Sequence, residues 1–245
     1  MDMVLLDWTR MGQFYCLAGV ILQEGKTRVV RPLPARNREG PERKLGWYSA
    51  RMDGHCRWEV FELVGPEPAD PQPPHLEDVW VQALRPRRCL ADPGQRRAIL
   101  EATLPANGQP LFGTPLNHTH TATFLRPGAG TRSLVSVIVP ARDVSFSASW
   151  REGAGESDYR VRLPVPGLGK RILPLKDHFL LRQAELASGN FDTQVRTLTR
   201  AVQQMGEQVV VRLGLSRPFA GTPGGAPGVC WLMADGFFSP TNPEP

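Results

Sequence analysis

Two histidines at strand spacing, His118 and His120 in Asn117-His118-Thr119-His120, are the best candidates for metal chemistry. Residues i and i+2 of a strand project to one side, so both imidazoles could ligate one ion, as in a metal-dependent hydrolase. No third ligand is near in sequence, and exposed loop histidines are the simpler reading; no metal is assigned. Asp177-His178 offers an acid–base pair, but an aspartate just ahead of an apolar stretch reads first as a helix N-cap. No G-x-S-x-G elbow for a nucleophile occurs. The glycine-rich stretches at Gly128–Gly130, Gly167–Gly169 and Gly221–Gly228 lack the Lys-Ser/Thr or βαβ setting of a phosphate loop and read as turns. No catalytic residue is assigned, no cofactor is expected, and a non-enzymatic protein is favoured.

The chemistry with most support in composition is anion binding. Lys+Arg number 29 against 24 Asp+Glu, a formal net charge of +5. Arginine supplies most of the base, with lysine only at Lys26, Lys44, Lys170 and Lys176. The guanidinium fork suits phosphate and nucleic acid. A GC-rich genome, which raises Arg, Ala, Gly and Pro together, explains the same excess. The candidate nucleic-acid-binding cluster is Arg28, Arg31, Trp47, Arg160, Arg162 and Arg217. Each has a plainer reading: Arg31 and Arg217 precede prolines at strand ends and can simply order those ends through backbone carbonyls. Arg36, Arg38, Arg43, Lys44 and Arg51 surround Trp47-Tyr48, a mixture of cations and aromatics found in single-strand-binding loops. A solvated loop whose tryptophan tucks into the core is the favoured alternative.

The four cysteines, Cys16, Cys56, Cys89 and Cys230, form no C-x-x-C pair. They read as reduced thiols, with Cys16 and Cys230 in apolar runs as small core residues. The first residues, Met1-Asp2-Met3-Val4-Leu5-Leu6-Asp7, carry acid where a signal peptide carries base, and no apolar run approaches membrane-span length. A cytoplasmic location with no membrane partner is expected. Gly65–His75 is proline-rich and forms a stiff extended loop, a candidate contact for a protein partner.

The elements that must position these residues are mostly strands. Tyr15–Pro34 reads as a hairpin turning at Gln23–Lys26 and stopping at Arg31-Pro32. A short strand at Met3–Leu6 leads into a polar loop over Asp7–Gly12. Further strands are predicted at Arg57–Val64, at Leu76–Leu84 ending at Arg85–Arg88, at Ser133–Pro140, at Val144–Trp150 joined through Arg151–Asp158 to Tyr159–Leu163, at Gln208–Leu215 and at Val229–Phe238. A helical turn follows Asp92-Pro93. Two helices are predicted over His178–Leu186, capped by Asp177, and Thr193–Met205, capped by Asp192 and stopped by Gly206. The pattern predicts a mainly β protein of small antiparallel barrels or a sandwich, with strands enough for two five-stranded barrels over 1–104 and 105–240, one or two short helices in the second half and a flexible tail at 241–245.

The runs Val4-Leu5-Leu6, Cys16-Leu17-Ala18-Gly19-Val20 and Val29-Val30-Arg31-Pro32-Leu33 resemble the opening of the bacterial dual OB-containing domain family. Val211-Arg212-Leu213-Gly214-Leu215-Ser216-Arg217-Pro218-Phe219, followed by Cys230-Trp231-Leu232, resembles that family's closing strands. Asp7-Trp8-Thr9 stands where a shorter serine-containing turn is expected, and valine where tryptophan often precedes the Ile-Arg-Pro ending. The resemblance implies two OB-like barrels binding single-stranded nucleic acid or a nucleotide-like ligand, and brings no catalytic residues. The alternatives remain a protein-interaction module using residues 65–75 and the His118/His120 hydrolase.

Overall fold

Alternation of apolar and polar residues, broken by Gly and Pro, gives a mainly β chain. The computed structural model describes residues 1–11, 14–23, 26–38, 46–48, 54–119, 122–151, 156–187, 189–218 and 228–241. The predicted turn at Glu24-Gly25, most of the arginine-rich stretch around Arg43, His120, the hairpin tip at 152–155, the loop at 219–227 and the tail at 242–245 lie outside the described residues.

One sheet holds β1 (Asp2–Met11), β2 (Phe14–Gln23), β3 (Lys26–Pro34), β4 (Trp47–Tyr48), β5 (Glu59–Val64), β6 (Glu67–Pro68), β7 (Asp78–Val81) and β8 (Ala83–Cys89). It curls in the order β6-β7-β3-β2-β1-β5-β8, with β4 beside β2. After α1 (Pro93–Ala102) come β9 (Asn117–His118), β10 (Thr123–Leu125), β11 (Leu134–Pro140), β12 (Ser145–Arg151), β13 (Glu156–Val165) and β14 (Gly169–Pro174). The chain then runs through α2 (His178–Leu186), α3 (Phe191–Gln204), β15 (Gln208–Leu215) and β16 (Cys230–Phe238). These strands form the sheets β11-β15-β16-β10-β9 and β12-β13-β14.

Several local expectations change. β1 does not stop at Leu6: a register shift between Leu5 and Asp7 carries it to Met11, still paired with β2. The shift lets the strand bend without losing its ladder. Arg31-Pro32 ends the pairing with β2, whose last partners are Gly19 and Val30, but not the strand. From Arg31 to Pro34 the chain pairs in parallel with β7, Arg31 opposite Asp78. Arg85–Arg88 continue a strand rather than ending one. Proline is tolerated there because β8 is an edge strand, with Pro86 opposite Phe61 beside a register shift. α3 is capped by Asn190, whose side chain accepts from Thr193 N–H, rather than by Asp192. Asp92 and Asp177 cap α1 and α2 through their carboxylates.

β1 is buried on both faces. Met3, Leu5 and Trp8 join Leu17, Phe61 and Val81 inside the N-terminal sheet. Val4 and Leu6 join Trp58, Val60, Ile99, Leu100, Val210 and Phe238 in a second cluster, which sets the N-terminal sheet against α1, β15 and β16. Two glycines of the sequence motifs mark close approaches here. A Cβ at Gly19 would lie 2.1 Å from the Val4 carbonyl oxygen, and one at Gly214 would lie 1.7 Å from Asp235 Oδ2. Among the described residues, no helix is long and apolar enough to cross a membrane.

Candidate functional site

The candidate arginines divide among a seam, a cleft and an exposed sheet face. At the seam, Arg31 is buried and held by the β3–β7 register. Its Nη1 lies 2.8 Å from His75 Nδ1 and 3.5 Å from Asp78 Oδ1, and its Nη2 donates to Ser133 Oγ at 2.8 Å. Arg217 reaches the same carboxylate, Nη1 to Asp78 Oδ2 at 2.6 Å. The two strand-end arginines thus meet on one aspartate. Glu77 completes the junction, accepting from Ser133 N–H at 2.6 Å and Ser133 Oγ–H at 2.9 Å.

Guanidinium is only a donor, so His75 Nδ1 accepts and its proton sits on Nε2, 3.8 Å from Cys230 Sγ. Burial, then Arg31 and Arg217, push His75 down to about 2, which keeps it neutral. Burial raises the Cys16 thiol against the opposing pull of Arg31 and Arg217. These groups form a buried, hydrogen-bonded junction.

Two further buried Arg–Asp pairs extend the seam. Arg212 donates to Asp7 from Nε at 2.8 Å and from Nη2 at 2.6 Å, with both side chains buried. Arg57 Nη2 donates to both oxygens of Asp177, at 2.7 and 2.8 Å. The Arg57 guanidinium also lies 4.6 Å from the Phe179 ring centroid and 4.5 Å from that of Phe238. His178 stacks on Trp8 at 5.0 Å, while the Asp177 carboxylate is taken up by Arg57 and by the N–H groups of Phe179, Leu180 and Phe237.

Asp235 lies beside these pairs. Burial, then the charge of Asp7, raise its carboxyl to about 7 from 3.8. The folded chain thus holds a proton that the unfolded chain releases, and Asp235 makes stability fall as pH rises between about 4 and 7. His75 acts oppositely: its folded value is depressed, so its contribution is lost as pH falls below about 6.5. The difference between Asp235→Asn and the parent isolates the first effect. In urea unfolding, the variant should gain relative stability from pH 4 to 7, at up to about 1.4 kcal/mol per pH unit. A flat difference would contradict this.

Trp47, a candidate for the binding face, takes the favoured alternative of a core position. It is buried, and its indole N–H donates to the Pro32 carbonyl at 2.9 Å. Arg31 is likewise interior, because its partners lie on both sides of the seam. Arg28 is exposed and lines a cleft of about 340 Å³ with Thr27, Glu77, Thr103 and Arg132. Arg160 and Arg162 share the outer face of β12–β14, where Ser145, Arg162 and Ile172 align across the strands, as do Ser147, Arg160 and Pro174. Lys170 lies opposite Pro164 on this face. Ser145, Ser147, Ser149, Arg162, Lys170 and Ile172 are exposed. Arg160 Nε pairs with Asp158 at 2.8 Å and Lys170 with Asp143 at 3.6 Å. Trp150 has the parity of Phe146 and Ala148 but is 58% exposed at the end of β12.

His118 is exposed on β9. Among the described residues, no group of three or more His, Cys, Asp or Glu side chains is arranged to hold a metal ion. The proline-rich stretch is tied into the fold: Pro73 O accepts from Gly128 N–H, and His75 belongs to the seam.

No protein-family model and no curated protein matches the chain. A solved structure described as a murine DNA binding protein bound with ds DNA is similar over 96% of this chain and 98% of that chain. Its identity is 8% and its TM-score 0.29, a likeness that bears on neither fold nor function.

Proposed function

We propose that the protein is a non-enzymatic module of two OB-like barrels that binds single-stranded nucleic acid, with the outer face of β12–β14 as the contact surface. The observation that carries this reading is the row of Arg160, Arg162 and Lys170 on one face of the antiparallel β12–β13–β14 meander, flanked by three serines of β12. Arg160 and Arg162 are alternate residues of β13, about 6.7 Å apart, and Lys170 lies one strand over on β14, opposite Pro164. OB barrels bind oligonucleotides on the face of their second and third strands. In the β12–β13–β14 meander these are β13 and β14, which carry the cations. Ile172 adds exposed apolar surface beside Arg162 on the same face. The β1–β2–β3 meander, with β5 and the parallel β7, supports the same reading for the N-terminal half.

The test is fluorescence anisotropy with labelled oligo-dT and oligo-rU across salt. Contacts from three cations give a slope of about −2 in log K against log salt, or about a 20-fold loss between 50 and 200 mM. Arg160→Ala with Arg162→Ala should reduce the slope to about −0.7 and leave unfolding unchanged. Absence of binding at low salt, or an unchanged slope in the double variant, would overturn the proposal.

A further inference from the structure

Cys56 and Cys89 are 33 residues apart in sequence, yet their Sγ atoms lie 3.0 Å apart. Cys89 ends β8 opposite Glu59, and Cys56 lies in the turn leading into β5. Glu59 Oε2 accepts from Cys56 N–H at 3.3 Å and lies 2.8 Å from His55 Nδ1, which fixes the turn at this spot. We propose that Cys56 and Cys89 are a reversible disulfide site, oxidised by a low-molecular-weight disulfide of the glutathione class.

The two thiols have unequal access. Cys89 is exposed and Cys56 half-buried. Burial, and then the hydrogen bond and charge shared with Cys89, push the Cys56 thiol up to about 12. Cys89 therefore reacts first. Its thiolate attacks one sulfur of the small disulfide, breaking that S–S bond and releasing a thiolate. In the resulting mixed disulfide Cys89 bears no charge, which removes one cause of the high Cys56 value. Cys56 then loses its proton and attacks Cys89 Sγ, forming the internal S–S bond and releasing the second small thiolate. The two protein thiols lose two electrons and the small disulfide gains them. The two protons end on the released thiols.

The sulfurs must close from 3.0 Å to about 2.05 Å. The residue after Cys56 is Arg57, whose carbonyl faces Cys89 Sγ at 3.7 Å and whose guanidinium holds Asp177. Oxidation thus staples the turn that carries Arg57 to the sheet edge. The test equilibrates the full chain with mixtures of oxidised and reduced glutathione, then quenches, denatures, alkylates and weighs it. Two of the four cysteines should resist alkylation, and a non-reduced digest should contain a Cys56–Cys89 linked peptide. The Cys56→Ser variant should stop with one glutathione on Cys89. Melting temperature should rise by about 5 to 10 °C on oxidation. Full alkylation of all cysteines at every poise, a persistent mixed disulfide in the parent chain, or a different linked pair would overturn the proposal.

Discussion

Asp7→Ala should destabilise the protein by about 3 to 5 kcal/mol, because it strands a guanidinium inside the molecule. Arg212 is 0% exposed and Asp7 only 1%. Both oxygens of Asp7 are engaged by Arg212, leaving only a longer contact of 3.3 Å from Nη1 to Ser136 Oγ when the carboxylate is gone. The same deletion removes the negative charge that helps keep Asp235 protonated, so Asp235 should ionise at lower pH in the variant. A buried pair is a weak source of net stability when both partners are replaced together. The double variant Asp7→Ala with Arg212→Met should therefore recover much of the loss. Urea unfolding of the two singles and the double measures this coupling. A cost under about 1 kcal/mol for Asp7→Ala would contradict the account of the seam.

Asp177→Ala should cost about 4 kcal/mol, and more than Arg57→Ala. Asp177 accepts from Arg57 and from three backbone N–H groups: Phe179 at 2.9 Å, Leu180 at 3.3 Å and Phe237 at 3.0 Å. The first two are open donors at the start of α2; the third belongs to β16. Removing the carboxylate leaves those donors unsatisfied and a buried cation without its counter-charge, with the Phe237 carbonyl still accepting from Arg57 Nη1 and the rings of Phe179 and Phe238 against the guanidinium. Removing Arg57 instead leaves a carboxylate that still holds three N–H donors at a helix N-terminus, where negative charge is favoured. Asp177→Asn keeps one acceptor for the helix and should fall between the two. Chemical denaturation of the three variants gives the order, and an Arg57→Ala cost equal to or above that of Asp177→Ala would show that the cap contributes little.

Elements with local signals were legible in the sequence. Ser133–Pro140 and Gln208–Leu215 are β-branched runs that became β11 and β15, and Asp92 and Asp177 announced their helices through capping. β8 was not legible, since Arg85-Pro86-Arg87-Arg88 carries a breaker whose missing donor matters only in an interior strand. β14 has no counterpart in the sequence reading, because Gly169-Lys170-Arg171 masks a strand that takes its register from β13. The site divides in the same way. Arg160 and Arg162 alternate on a strand, and alternation alone puts them outside. Arg31 has the same local signature on β3 and is buried, because its partner Ser133 lies 102 residues away. Asp7 and Arg212 are separated by 205 residues and Arg57 and Asp177 by 120. No periodicity or turn chemistry in one stretch encodes such a pairing. Cys56 and Cys89 escaped notice for the same reason: their spacing in sequence is set by the β5–β8 register, not by a motif.

The proposed function divides labour between buried arginines that hold the sheets together and the outer face of β12–β14, which would take the ligand. Hydrogen–deuterium exchange of the full chain, free and saturated with oligo-dT, tests it most directly. The account expects slower exchange in β12, β13 and β14 on binding, with β1, β3, β7 and β15 unchanged. Protection confined to β3 and the cleft at Arg28 and Arg132, or a bound oligonucleotide that leaves β12–β14 unprotected, would contradict it.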